Sequence, residues 1–267
     1  MTMVNADTHA PLVTREALEA FTQSLVERFA PEKIILFGSL ARGEARWDSD
    51  ADILVVMPLE GCSRDTLLAK LETCKPDFPL DLHLRRPEEI APRYRWGDPY
   101  IREALDHGEM LHGEAAAISP MVSTVPVRNP VVEEWIKRAE RHWKMATLLP
   151  DLPPGYLSGL FQVQRCLETY LRAAMIALGI PSRKVRDLLR LSERLGTAIP
   201  GWDPDPDTLT ILTQAALAYL DAGEGYPEPS QDGAWSIDQA GPLRDCLRHW
   251  FAALEVEQLE AVPQEVA

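Results

Sequence analysis

Apolar residues at 18, 21, 25 and 29 (Leu, Phe, Leu and Phe) have the three-to-four-residue spacing of one helical face, and Thr14 stands ready as an N-cap. The spacing predicts a helix over 15–29. The pattern then changes period. Residues 33–37 form a short apolar run that stops at Gly38-Ser39, which predicts a buried strand, and 39–42 begin a short helix. A second apolar run predicts a strand over 51–57, and 64–74 predict a helix ending in a Pro-punctuated turn. Residues 79–85 predict a third strand with Asp81 and His83 on one face, because alternate strand positions share a side. A helix follows over 99–113, ending at Gly108 ahead of a short apolar return, Met110-Leu111.

Beyond residue 113 the strand signals stop. Residues 114–130 are rich in Ala, Ser, Val and Pro, carry no helix caps and read as a linker. Helical spacing then returns over 131–149, 156–178, 182–195 and 208–220. A Gly/Pro/Ser-rich break at 223–233 precedes a last helix over 237–259. The expected fold class is α+β: a mixed sheet with flanking helices over 12–113, then an all-α bundle over 131–259. Residues 1–11 are polar and read as a frayed end.

Composition narrows the options. With 267 residues, 46% of them hydrophobic, the chain can build two modest cores. Its net charge of −14 disfavours nucleic-acid backbones, whose binding depends on Lys and Arg neutralising phosphates, yet leaves room for a local basic pocket. The four cysteines, Cys62, Cys74, Cys166 and Cys246, show no Cys-x-x-Cys spacing and read as free thiols in a reducing compartment. The N-terminus has neither the basic start nor the apolar run of a signal peptide, and no stretch approaches the roughly 18 apolar residues of a membrane span. A soluble cytoplasmic protein is expected.

The candidate chemistry lies between the first two strands. Asp50 and Asp52 stand at the start of the second strand and can aim two carboxylates at one point. Two such charges repel unless a hard divalent cation such as Mg²⁺ joins them. Gly38 lets a phosphate approach the backbone, and Ser39 opens a helix whose free N–H groups can bind it. Arg42, one turn on, can reach a β- or γ-phosphate; Arg46 is a weaker candidate. Asp81 sits between leucines, where a charge is unfavourable unless paired or metal-bound. It is read as either a third metal ligand or a general base. His83 reads as a supporting or surface histidine. Arg85, Arg86, Arg93 and Arg95, interleaved with Tyr94 and Trp96, read as a solvated basic face in preference to a substrate entrance.

Gly38-Ser39, the turn Ala41-Arg42-Gly43 and Asp50-x-Asp52, with a strand on either side, resemble the signature of the DNA polymerase β nucleotidyltransferase superfamily, over about residues 31–113. The similarity is to its minimal nucleotidyltransferases and antibiotic adenylyltransferases. The resemblance implies catalytic residues Asp50, Asp52 and Asp81, all three as metal ligands, with Gly38, Ser39 and Arg42 at the nucleotide. It further implies Mg²⁺ and an NTP substrate, with ATP favoured by resemblance only.

In the second half, Gln164 interrupts an apolar helical stripe, and Glu168 and Arg172 form an i, i+4 pair beside it. This segment resembles the second helix of HEPN domains, helical bundles often encoded beside or fused to minimal nucleotidyltransferases. Gln164 and Glu168 match that pattern, Gln162 and Thr169 replace its His and Lys, and Arg186-Asp187-Leu188 stands for its His-Asp-Leu. Arg244 and His249 have about the spacing of HEPN ribonucleases, on poorly matched faces of one helix.

The expected function is transfer of an NMP, AMP from ATP, to a hydroxyl on a small molecule such as an antibiotic, with the bundle shaping the acceptor pocket. Two alternatives stay open: a protein-adenylylating toxin–antitoxin or regulatory fusion, and a non-catalytic nucleotide-binding regulatory module. The expected partners are the NTP and a hydroxyl acceptor, with no nucleic acid and no membrane; homodimerisation is left open.

Overall fold

The structure is a computed structural model that describes residues 13–45, 49–58, 61, 63–74, 76–114, 127–148, 158–181, 185–221 and 233–256. Arg46, Cys62 and the polar end at 1–11 lie outside these residues, as does most of the expected linker. The chain divides into two compact units, 1–121 and 122–267.

In the first unit, α1 (Arg15–Phe29) starts as its sequence predicts: the Thr14 side chain accepts from the Ala17 N–H, and Leu18, Phe21 and Leu25 are buried. Strands β1 (Lys33–Phe37), β2 (Ala51–Val56), β3 (Leu80–Arg85) and β4 (Glu109–His112) form one sheet in the order β3-β2-β1-β4. The apolar return at Met110-Leu111 is thus an edge strand. β1 runs antiparallel to β2 and β4, whereas β2 and β3 are parallel. A parallel pair cannot be joined by a tight turn, and the crossover here carries α3 (Arg64–Leu71) and a 3₁₀ turn at Glu72–Cys74.

Both faces of the sheet are covered, which is why β1 and β2 read as continuous apolar runs. Ile34, Leu36, Ile53 and Val55 pack with Leu18, Phe21 and Leu25 of α1 and Leu67 and Leu71 of α3. Ile35, Phe37, Leu54 and Val56 pack on the other side, against Ile90 and Tyr94 of α4 (Pro87–Arg95) and Ile101 and Ala104 of α5 (Pro99–His107). Helix α4 was not expected, and it begins at a proline in the first turn, where a missing N–H costs nothing. Asp98, 2% exposed, caps α5 by accepting from the Tyr100 and Ile101 N–H groups and pairs with Arg93 at 2.8 Å.

The short helix α2 (Gly38–Ala41) leads out of β1.

The second unit contains α6 (Pro130–Leu148), α7 (Ser158–Ala177), α8 (Leu188–Leu195), α9 (Pro206–Asp221) and α10 (Gly233–Ala253). α7 is the central helix and packs against the other four. Side chains cap three helices: Asn129, within the stretch expected to carry no caps, accepts from the Val131 and Val132 N–H groups, Asp187 from Arg190 and Asp205 from Thr208. The last helix starts before residue 237 and ends at 253, short of the expected 259; Glu255–Val256 instead form a strand, β6, parallel to β5 (Val127–Arg128). Among the described residues no helix is long and apolar enough to cross a membrane.

Candidate active site

Register builds the site. Asp52 lies opposite Phe37 in the antiparallel pairing and beside Asp81 in the parallel one. Being two residues from Leu54, Asp52 belongs to the sheet face that packs on α4 and α5. Its side chain is fully buried, whereas Asp81 keeps half of its side-chain surface exposed. One buried and one accessible carboxylate therefore meet at the same end of two neighbouring strands.

Next to them, Gly38 has φ +78°, a left-handed conformation that favours glycine. A Cβ there would lie 1.8 Å from Asp52 Oδ2 and 2.7 Å from its carboxyl carbon. The space a side chain would fill is taken by the Asp52 carboxylate. The sequence expectation tied this glycine to an approaching phosphate. The structure gives it a second reason, which depends on strand register and has no signature in a single sequence.

His83 is two residues beyond Asp81 on β3. Its ring lies between Phe37, at 5.4 Å between ring centroids, and Tyr100, at 4.5 Å. Nε2 lies 3.3 Å from Asp81 Oδ2 but is buried with no hydrogen-bond partner. The proximity is real, while the orientation is not that of a hydrogen bond. Asp52, Asp81 and His83 each bring one donor atom within 4.8 Å of the others, the one such group able to hold a metal among the described residues. A buried nitrogen without a donor or acceptor beside two carboxylates is a donor set that fits a divalent cation.

The other expected site residues are placed differently. Asp50 is exposed, just ahead of β2, and outside that close group. Ser39 is half-buried in α2. Arg42 is committed to two carboxylates, Glu44 at 2.8 Å and Glu103. Two arginines of the basic segment meet acids locally: Arg86 lies near Glu88 and Glu89, and Arg93 pairs with Asp98.

Residues 18–109 match the family model described as a nucleotidyltransferase domain, and residues 132–232 match the one described as a HEPN domain. The chain joins a nucleotidyltransferase domain to a HEPN domain. No curated protein gives a significant match. The solved structures similar to this chain include the crystal structure of an archaeal HEPN homologue, 23% identical, covering 45% of this chain and 92% of that one, with a TM-score of 0.28. The assignment rests on the two family models.

Within the HEPN domain, the polar residues that stand out in the α7 sequence form a buried network. Glu168, 2% exposed, accepts from Arg172 Nε at 2.9 Å and from Arg165 Nη1 at 2.6 Å. Gln164 donates to the Arg186 carbonyl at 2.8 Å, and Arg172 Nη2 donates to the Val185 carbonyl at 2.9 Å. The helix thereby holds the segment leading into α8 with side chains where no backbone partner is available. A second cluster joins three helices. Arg244 of α10 donates to Glu140 of α6 at 3.1 and 2.5 Å and lies over the Trp143 ring at 4.8 Å, while the Tyr170 hydroxyl of α7 donates to the same carboxylate. Burial opposes ionisation of Glu140, but the hydrogen bonds from Arg244 and Tyr170 outweigh it and hold the carboxyl below its usual range. Arg244 is thus part of the bundle interior, whereas His249 is exposed and turned to the Asp245 carbonyl at 2.7 Å. The nuclease-like spacing brings no paired site.

Proposed function

We propose that the nucleotidyltransferase domain transfers an NMP, AMP from ATP, to a hydroxyl acceptor in a divalent-cation-dependent reaction. The observation that carries this reading is the pairing of buried Asp52 with accessible Asp81 across β2 and β3, immediately beside Gly38. Asp52 and Asp81, with Asp50 at the start of β2, would hold Mg²⁺ or a related ion. Such a cation supplies charge neutralisation on the phosphates and orients the acceptor oxygen for in-line displacement.

The residues of the chain divide the remaining work. Backbone N–H groups at Gly38 and Ser39 begin a helix, lack intrahelical partners and suit phosphate oxygens. Asp81, with half its side chain in solvent, would take the proton from an incoming hydroxyl. Arg42 can assist only by exchanging Glu44 or Glu103 for a phosphate. The acceptor we propose is a small hydroxylated molecule such as an antibiotic. A second reading is favoured by the HEPN match over 132–232: the acceptor is a protein hydroxyl, and the fusion is a regulatory or toxin–antitoxin element.

An acceptor screen with α-phosphate-labelled ATP separates these readings. Label in a small product supports the first, and label in acid-precipitable protein supports the second. Absence of cation-dependent pyrophosphate release with every acceptor tried would overturn nucleotidyl transfer.

A further inference from the structure

The donor atoms gathered at the end of β2 and β3 are not all oxygens, and this bears on which cation they prefer. His83 is positioned by packing, with its ring between Phe37 and Tyr100 and 14% of its side-chain surface exposed. Two aromatic neighbours and burial restrict the ring, so less rotational freedom remains to be lost on ligation. The same ring has a buried Nε2 without a hydrogen-bond partner, 3.3 Å from Asp81 Oδ2. Metal–ligand bonds of about 2.0–2.2 Å at an angle near 100° put neighbouring donors about 3.2 Å apart. The observed separation matches the edge of such a coordination polyhedron. The third corner, Asp52, is held by the space that Gly38 leaves open.

We infer that His83 is a nitrogen ligand of the catalytic cation, and that the site prefers a nitrogen-binding divalent ion such as Co²⁺ or Zn²⁺ to Mg²⁺. This inference rests on the metal-dependent function proposed above. Carboxylate, carbonyl and water ligands suit Mg²⁺ and Mn²⁺; an imidazole nitrogen shifts preference toward ions that bind nitrogen strongly. Mn²⁺, an oxygen-preferring ion, serves here as the spectroscopic probe of the nitrogen ligand. Replacing one oxygen corner by nitrogen thus sets selectivity through ligand type, with the overall charge still supplied by the two aspartates.

The test uses the full chain and Mn²⁺ alone, so that no nucleotide nitrogen contributes. Pulsed electron paramagnetic resonance should detect nitrogen coupled to bound Mn²⁺ in the wild type. Calorimetry should find Co²⁺ bound at least about tenfold more tightly than Mg²⁺. His83→Gln should remove the nitrogen coupling and weaken Co²⁺ about tenfold or more, with Mg²⁺ changed less than about twofold. Because the coupling is read in the wild type, the result does not depend on the variant folding. Mn²⁺ bound without nitrogen coupling, in a site that Asp52→Asn abolishes, would overturn the His83 assignment and leave the proposed function standing. No binding of either cation, with or without ATP, would overturn both.

Discussion

Gly38 and Asp52 compete for one volume: the Cβ that any other residue would place at 38 falls 1.8 Å from the Asp52 carboxylate oxygen. Gly38→Ala should therefore damage the site twice. The left-handed backbone at φ +78° costs a residue with a side chain about 1–2 kcal/mol, and the methyl group displaces Asp52. The expected outcome is a folded, mildly destabilised protein with weakened cation binding, measured by calorimetry beside thermal melts. Unchanged cation affinity would show that Asp52 is not a ligand in this position.

Asp52→Asn keeps the shape and removes the buried charge. Cation-dependent transfer should fall by about 10³-fold or more, the rate equivalent of the several kcal/mol that metal charge stabilisation supplies. The far-ultraviolet spectrum should not change. For Asp81→Asn, a fall in kcat with cation affinity preserved would mark a base, and a parallel fall in affinity would mark a ligand.

Glu168 is buried between Arg172 and Arg165 in the HEPN domain. Glu168→Ala leaves Arg172 without its counter-charge, and breaking a buried pair in this way costs about 3–5 kcal/mol. Urea unfolding of the full chain should show a transition shifted by about that amount. The Asp52 site lies in the other unit, so cation binding at low urea should be retained.

Acid should weaken the bundle through Glu140. Its folded pKa lies below the ordinary 4.5, so between the folded and unfolded values the unfolded chain carries more protons. Stability from this group is therefore complete above about pH 4.5 and is lost as pH falls through the folded pKa. Glu140→Gln should flatten the acid limb of a pH–stability curve, read by melts between pH 6 and 3. A limb as steep as the wild type's would assign acid sensitivity to other carboxylates.

How much of this was legible depended on the range of the interaction involved. Local rules placed α1 from Thr14 and its apolar stripe, and two-sided burial made β1 and β2 conspicuous. Helix α4 was hidden because Pro87, Pro92 and four charged residues obscure its two buried contacts, Ile90 and Tyr94. Asp81 could be singled out as a charge between leucines, but its pairing with Asp52 depends on the parallel register, which sequence spacing does not specify. The aromatic neighbours of His83 come from β1 and α5, so its surroundings have no local signature in the sequence. Arg42 had a plausible phosphate role by spacing, whereas its carboxylate partner Glu103 comes from distant sequence.

The parallel pairing of β2 and β3 also gives the site a place in the order of folding. β1 and β2 are antiparallel neighbours close in sequence and can zip early, whereas β3 must wait for the helical crossover to dock. On that order Asp52 would meet Asp81 and His83 at the late step. A cation that binds the assembled group and not its precursors would stabilise the completed sheet by mass action. Its uptake during refolding should then lag behind the burial of the first two strands.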